Sequence, residues 1–247
     1  MTTFEKILAL LFPLAKGCLL CGKGRERTAV CRGCREKMSA RNHFSSCPVC
    51  GRYHDQVTAG SENKLTCSEC LRIPPAYFAA RSVGPYRGPL KEAIYLYKYR
   101  GYRSLSQLFG QLLTELFLSE PRFTNADLLV PVPLSPQKTI SRGFNQSELL
   151  AVRVGQLLNL PVEACLVRVR HTPSQSKLTG KARRDNVKGV FALSKTPRHR
   201  NVILIDDILT TGATAEECAK VLLQAGVRWV GVLTLASGIQ ENINYRV

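Results

Sequence analysis

The chain has 247 residues, 45% of them apolar, and carries 35 Lys and Arg against 18 Asp and Glu, a net charge of +17. That apolar content excludes a disordered chain, and the length suits one large domain or a core domain with a small accessory module. The cationic surplus points to polyanionic partners (nucleic acid, an anionic membrane or phosphorylated small molecules) and says nothing of fold.

Residues 4–15 read as a short amphipathic helix. The apolar run from Ile7 to Ala15 is interrupted by Pro13 and falls well below the roughly 20 residues that span a bilayer. Glu5 stands where a signal peptide would be basic, and Lys16-Gly17 stands where a lipoprotein site would be small and apolar. The expectation is a cytosolic protein with no membrane insertion.

Eight of the ten cysteines precede residue 71, as four C-x-x-C pairs: Cys18/Cys21, Cys31/Cys34, Cys47/Cys50 and Cys67/Cys70. A tight turn lets two thiolates at this spacing face one ion, and two pairs complete a tetrahedron around Zn2+. A disulfide framework would need an oxidising compartment and a redox motif would need one pair only, so two structural four-thiolate zinc sites are expected. Pairing in sequence order joins Cys18, Cys21, Cys31 and Cys34, then Cys47, Cys50, Cys67 and Cys70; a cross-braced pairing stays open. His43 and His54 are spare ligands or surface histidines, and Cys165 and Cys218 read as core. With few large apolar side chains between residues 18 and 70, metal supplies the stability there, on the order of 10–16 kcal/mol per site.

Pro74-Pro75 closes this module, so the expected division is 1–75 and 76–247. Residues 76–86 read as one or two strands. Helical spacing marks 90–99 and 105–118, and 127–131 reads as a buried strand. A helix follows over 145–158, with Asn145 and Gln146 as caps or ligand contacts, and then a short strand over 166–169. Residues 171–189 are basic, polar and aperiodic, which predicts a long functional loop. Val202 to Ile205 is an apolar strand, 216–225 a helix ended by Gly226, and 229–235 another buried strand. This alternation predicts an α/β fold with a parallel sheet.

The sharpest signal runs from Val202 to Thr214: a buried strand, the acids Asp206 and Asp207, then Thr210-Thr211-Gly212-Ala213-Thr214 leading into a helix. Ligands of open α/β sheets bind outside the carboxyl ends of strands. The turn can aim several backbone N–H groups at one anion, with Gly212 allowing close approach. Thr214-x-x-Glu217 also fits a capping box, a purely structural role. A carboxylate pair repels phosphate but accepts vicinal hydroxyls, so a ribose 5-phosphate unit suits both halves of the motif.

This stretch resembles the 5-phosphoribosyl 1-pyrophosphate (PRPP) signature of type I phosphoribosyltransferases. Val130-Pro-Val-Pro133, Ser141-Arg-Gly-Phe-Asn-Gln146, Gln175, Arg183-Arg-Asp-Asn-Val-Lys-Gly189 and Lys98-Tyr-Arg-Gly101, with the cysteine module, are similar to the ComF (ComFC- or GntX-like) competence proteins over nearly the whole chain. The resemblance implies a parallel-sheet, type I phosphoribosyltransferase-like domain behind a double zinc ribbon. It implies that Asp206 and Asp207 hold the ribose hydroxyls, that residues 210–214 hold the 5-phosphate, and that Mg2+ arrives with the pyrophosphate. Arg142, after the strand ending at Pro131, and Lys177, Lys181, Arg183 and Arg184, in the loop resembling a mobile hood, are pyrophosphate candidates or solvated surface charges.

Two functions follow from the resemblance. One is phosphoribosyl transfer to an acceptor for which the sequence shows no pocket. The other is a PRPP-binding protein that handles single-stranded DNA during natural transformation. Charge supports the second, since residues 135–200 hold 13 Lys and Arg against 3 Asp and Glu. Aromatic and basic residues also interleave at Tyr86-Arg87 and Tyr95 to Tyr102, as strand-stacking surfaces do, unless those aromatics are core. A third reading makes the zinc module a docking platform for an uptake helicase, with no anchor patch in the sequence to support it.

Overall fold

A computed structural model describes residues 17–23, 29–39, 44–54, 66–170, 185–198 and 200–240. The helix expected over 4–15, His43, and the loop positions Gln175, Lys177, Lys181, Arg183 and Arg184 lie outside the described residues.

The centre is a four-stranded sheet of β2 (Ala79–Pro85), β7 (Trp229–Ser237), β6 (Asn201–Leu209) and β3 (Leu128–Pro131), in that order. Every neighbouring pair is parallel. Side chains on a strand alternate between faces, and here both faces are covered. Leu129, Ile203, Ile205, Leu233 and Leu235 pack with α3 (Gly88–Tyr99), α4 (Leu105–Leu118) and α6 (Gln146–Leu158). Leu128, Val130, Val202, Leu204, Val230 and Val232 pack with α7 (Ala213–Gln224). Two covered faces account for the unbroken apolar runs, and the parallel α/β sheet expected is the one found. Cys165 and Cys218 are fully buried in the second cluster, as expected of core residues.

Several elements depart in detail. Residues 76–86 give one strand, β2. The strand expected at 166–169 is β4 (Leu166–Arg168), which pairs antiparallel with β5 (Phe191–Leu193) outside the main sheet. The strand expected to stop at Ile205 runs on to Leu209, because Asp206, Ile208 and Leu209 still pair with Thr234, Ala236 and Ser237 of β7. The helix expected from Glu216 begins at Ala213, since Gly212 (φ 78°) takes the left-handed conformation that turns the chain one residue earlier. Thr214 thus sits inside the first turn and caps nothing. Glu217 instead accepts from the Gly189 N–H (3.1 Å) and the Lys220 ammonium (3.0 Å), so the capping box does not form.

In the cysteine module, α1 (Arg32–Met38) and α2 (Ser68–Arg72) each follow a cysteine that lies just before the helix. The segments before and after Pro74-Pro75 contact each other. Cys18, Val30, Cys34 and Met38 enter the same core as Leu90 and Phe109. The short strand β1 (Tyr53–His54) pairs with β8 (Ile239–Gln240), and the Tyr53 hydroxyl donates to the Ser82 carbonyl (2.8 Å). Gly51 lies so close to β2 that a Cβ there would stand 2.4 Å from the Ala80 carbonyl oxygen. Gly51→Ala is therefore expected to lower the melting temperature by several degrees, about 1–3 kcal/mol for strained overpacking at a positive φ. Thermal denaturation followed by circular dichroism checks this.

Candidate functional site

Two thiol clusters are present, Cys18/Cys21/Cys31/Cys34 and Cys47/Cys50/Cys67/Cys70, with the sulfurs of each within 4.8 Å of one another. The pairing is sequential, not cross-braced. The Cys21–Cys31 and Cys50–Cys67 sulfurs are 3.8 Å apart. A tetrahedral site with Zn–S of about 2.3 Å has edges of about 3.8 Å, so the spacing suits zinc. Four crowded thiols cannot all ionise alone. Hydrogen bonds from Cys50, Cys67 and Cys70 pull the Cys47 thiol down, and those to Cys47, Cys50 and Cys67 push the Cys70 thiol up. A divalent cation removes that conflict. His54 belongs to neither cluster.

Asp206 and Asp207 stand near the carboxyl end of β6, the strand flanked by β3 and β7. Asp207 is buried and Asp206 half-buried, because the strand continues past them. The Lys98 ammonium, at the end of α3, pairs with the Asp207 carboxylate at 2.8 Å, both side chains only 12% exposed. The Asp206 carboxylate accepts from the Ser147 hydroxyl (2.9 Å) and the Asp207 N–H (2.8 Å). Burial, then the Asp207 charge, push the Asp206 carboxyl up to about 7. Lys98 is held above its ordinary value: burial opposes its charge, but the Asp207 carboxylate outweighs that. The pair therefore carries about one negative charge beyond Lys98's compensation only when Asp206 is ionised.

The following turn is shaped by Gly212, whose Cβ, if present, would lie 2.8 Å from the Tyr77 hydroxyl. Thr210 is exposed, Thr211 and Thr214 half-buried, and Gly212 and Ala213 buried. The structure thus brings the acids and the turn to one strand–helix junction. Arg142 ends α5 (Pro136–Arg142), a short helix that follows β3. Its guanidinium donates to the Gln146 carbonyl oxygen Oε1 (2.9 Å) and lies 5.0 Å over the Tyr99 ring. Gln146 is 1% exposed, and its Nε2 has no partner among the described residues. Half-buried Lys138 is pushed down by burial and then by the charges of Arg142, Arg168 and Lys98. These cations repel one another, a repulsion that a bound polyanion relieves.

Sequence reasoning did not assign Lys98, Lys138 or Ser147 to the site. Lys98 lay in a quoted segment, Lys98-Tyr-Arg-Gly101, and was its one readable signal. Asn145 caps α6 by accepting from the Ser147 N–H (3.1 Å), which frees the Ser147 hydroxyl for Asp206. The aromatics divide. Tyr97 is core, whereas Tyr95, Tyr99 and Tyr102 are 48%, 58% and 40% exposed. The Tyr95 and Tyr99 rings sit 5.3 Å apart on one face of α3, with Arg142 beside them. A cleft of about 830 Å³ lined by Pro131, Pro133, Asn145 and Glu148 opens beside this region, since Pro131 is registered with Ile205, the residue before Asp206. Among the described residues no helix is long and apolar enough to cross a membrane.

Residues 7–71 match the double zinc ribbon domain. The chain is 31% identical to DNA utilization protein YhgH of Salmonella typhi, over 83% of this chain and 89% of that one. It is 29% identical to competence protein F of Haemophilus influenzae, over 85% and 91%. It is 32% identical to competence protein ComFC of Bacillus subtilis, over 80% and 79%. Partial overlaps with solved structures include the B. subtilis glutamine PRPP amidotransferase (20% identity, TM-score 0.35, 53% of this chain and 26% of that one). A Staphylococcus aureus hypoxanthine phosphoribosyltransferase overlaps at 17% identity and TM-score 0.32, over 62% and 70%. The sequence relatives, matched across most of both chains, carry the assignment: this chain belongs to the ComF family of competence and DNA utilization proteins, with a double zinc ribbon built into a parallel α/β domain.

Proposed function

We propose that this protein binds PRPP and acts in DNA uptake, handling single-stranded DNA in the cytosol. One observation carries the ligand reading: a carboxylate pair near the carboxyl end of β6 runs into a left-handed glycine turn and the start of α7. Asp206 and Asp207 receive the ribose hydroxyls, and the amides and hydroxyls of residues 210–214 receive the 5-phosphate. Arg142, Lys138 and the spare Gln146 donor face the pyrophosphate, as do Lys177, Lys181, Arg183 and Arg184 by resemblance. Asp207 is engaged by Lys98 and Asp206 by Ser147, so Mg2+ enters on the pyrophosphate, held by its oxygens and water.

The names of the relatives supply the DNA context, and the exposed Tyr95, Tyr99 and Tyr102 with Arg142 supply a surface on which bases stack while cations follow the backbone. Calorimetry with PRPP is expected to show binding that Mg2+ strengthens; absence of heat in both conditions sinks the ligand reading. Oligonucleotide retardation is expected to weaken with salt at a slope of about −0.7 per phosphate neutralised. Tyr95→Ala with Tyr99→Ala is expected to lose about 1–3 kcal/mol per base stacked. Salt-independent binding, or none, removes the DNA half.

The 830 Å³ cleft favours a second reading, transfer of the ribosyl phosphate to an acceptor seated beside Pro131. Incubation with labelled PRPP, Mg2+ and a panel of bases and amines tests it, and hydrolysis alone counts against it.

A further inference from the structure

The two zinc centres attach to the sheet domain at different places. The first joins the core of α3 and α4: Met38 packs with Leu90, and Arg35 of α1 pairs with Glu115 of α4. The second, Cys47/Cys50/Cys67/Cys70, is a cluster of its own, joined to β2 through Val49 and bordering a cavity shared with the start of α7. Its first knuckle covers the edge of the sheet. The Ala80 N–H donates to the Val49 carbonyl (2.8 Å), and the Ser237 hydroxyl donates to the Gly51 carbonyl (2.9 Å). Its second knuckle carries α2 and then Pro74-Pro75, which leave the chain little freedom before Ala76. There the Ala76 N–H donates to the Glu216 carboxylate in the first turns of α7 (2.6 Å). One residue on, buried Tyr77 sets its hydroxyl against Gly212, in the very space a Cβ would need. The path from Cys70 to the phosphate turn is short: it passes exposed residues 71–74 and half-buried Pro75 and Ala76 to reach buried Tyr77. A cavity of about 310 Å³ bordered by Cys50, Cys70, Tyr77, Gly212 and Glu216 lies along it.

We propose that the second zinc centre, and not the first, sets the conformation of the turn at residues 210–214, so that ligand affinity there tracks the metal load of Cys47, Cys50, Cys67 and Cys70. This rests on the PRPP reading above. Loss of metal from that centre releases the knuckles, since a four-thiolate module of this size folds only around its ion. Ala76 and Tyr77 then no longer brace Glu216 and Gly212, and the turn loses its fixed left-handed entry. The linkage is reciprocal: PRPP tightens zinc at the second centre by the factor by which that zinc tightens PRPP.

The test uses the full-length protein with zinc withdrawn stepwise by a chelator. Zinc release, PRPP binding by calorimetry and amide exchange at residues 211–216 and 202–205 are read together. Emptying the second centre is expected to weaken PRPP about 10- to 100-fold and to expose the 211–216 amides while 202–205 stay protected. Cys21→Ser, which removes the exposed ligand of the first centre, is expected to leave PRPP affinity within about twofold. Saturating PRPP is expected to retain zinc at the second centre only. Glu216→Ala keeps all eight thiols and is expected to abolish that retention, which covers the case in which cysteine variants fail to fold. Equal PRPP affinity with the second centre empty, or equal loss from the first, overturns the linkage. If the zinc-loaded protein binds no PRPP, the ligand reading fails, and amide exchange on zinc withdrawal still decides the linkage.

Discussion

Lys98→Met is expected to destabilise the protein by about 3–5 kcal/mol near neutral pH, because it strands a buried carboxylate beside another one. Lys98 is the paired cation of Asp207, and it also lowers the Asp206 carboxyl, which burial and Asp207 otherwise raise. Without it the two acids share a proton over a wider range of pH. A protonated carboxyl accepts fewer hydroxyl donors, so PRPP binding at neutral pH is expected to fall and to recover as the solution is made more alkaline. Melting temperature and calorimetric affinity, measured from about pH 6 to 9, check both parts. Wild-type binding is expected to strengthen as pH rises through about 7, where Asp206 ionises, and the variant's profile to be displaced upward. A variant with unchanged stability and an unmoved profile rules out Lys98 as the counter-charge of the pair.

The features legible in the sequence are those whose partners are neighbours. Each C-x-x-C pair closes on itself, so the spacing alone announced two four-thiolate sites. Asp206, Asp207 and the turn from Thr210 to Thr214 are likewise contiguous, and strand, acids and turn met at one junction as their order implied. What stayed hidden comes from far along the chain. The Ser147 hydroxyl reaches Asp206 across 59 residues, and Lys98 arrives from a helix on one face of the sheet. No local pattern encodes either meeting, because each depends on how α3 and α6 pack.

The capping box shows the opposite limit. Thr214-x-x-Glu217 has the right residues at the right spacing, yet a left-handed Gly212 starts the helix first and spends Glu217 elsewhere. The scarcity of large apolar residues between 18 and 70 implies that metal stabilises this segment. Of those that exist, Val30 and Met38 are buried in the core of the sheet domain and Leu19 and Leu20 pack against it, so the first ribbon is supported by the sheet as well as by its ion.

Asp206→Asn is expected to stabilise the protein while impairing its ligand site. The folded-state carboxyl sits at about 7, above its ordinary value near 4. Between those limits the native state holds a proton that the unfolded chain releases. Asp206 therefore contributes stability that is full below about pH 4 and is lost as pH rises through 7. Asparagine keeps an oxygen for the Ser147 hydroxyl and the Asp207 N–H but adds no charge. The variant is thus expected to be about 1–2 kcal/mol more stable than wild type above pH 7, and its stability slope between about pH 4 and 7 to flatten. PRPP binding is expected to weaken at least tenfold, because charge-assisted hydrogen bonds to a ribose hydroxyl contribute about 1.5–3 kcal/mol. The double change with Asp207→Asn is less clean, since it leaves the buried Lys98 unpaired and mixes a folding defect with the loss of binding. Denaturant titrations of wild type and Asp206→Asn at acidic and alkaline pH, with calorimetry on the same samples, separate the two effects. A variant that binds PRPP as well as wild type removes Asp206 from the ribose. One that is less stable at alkaline pH shows that its charge is compensated in the fold.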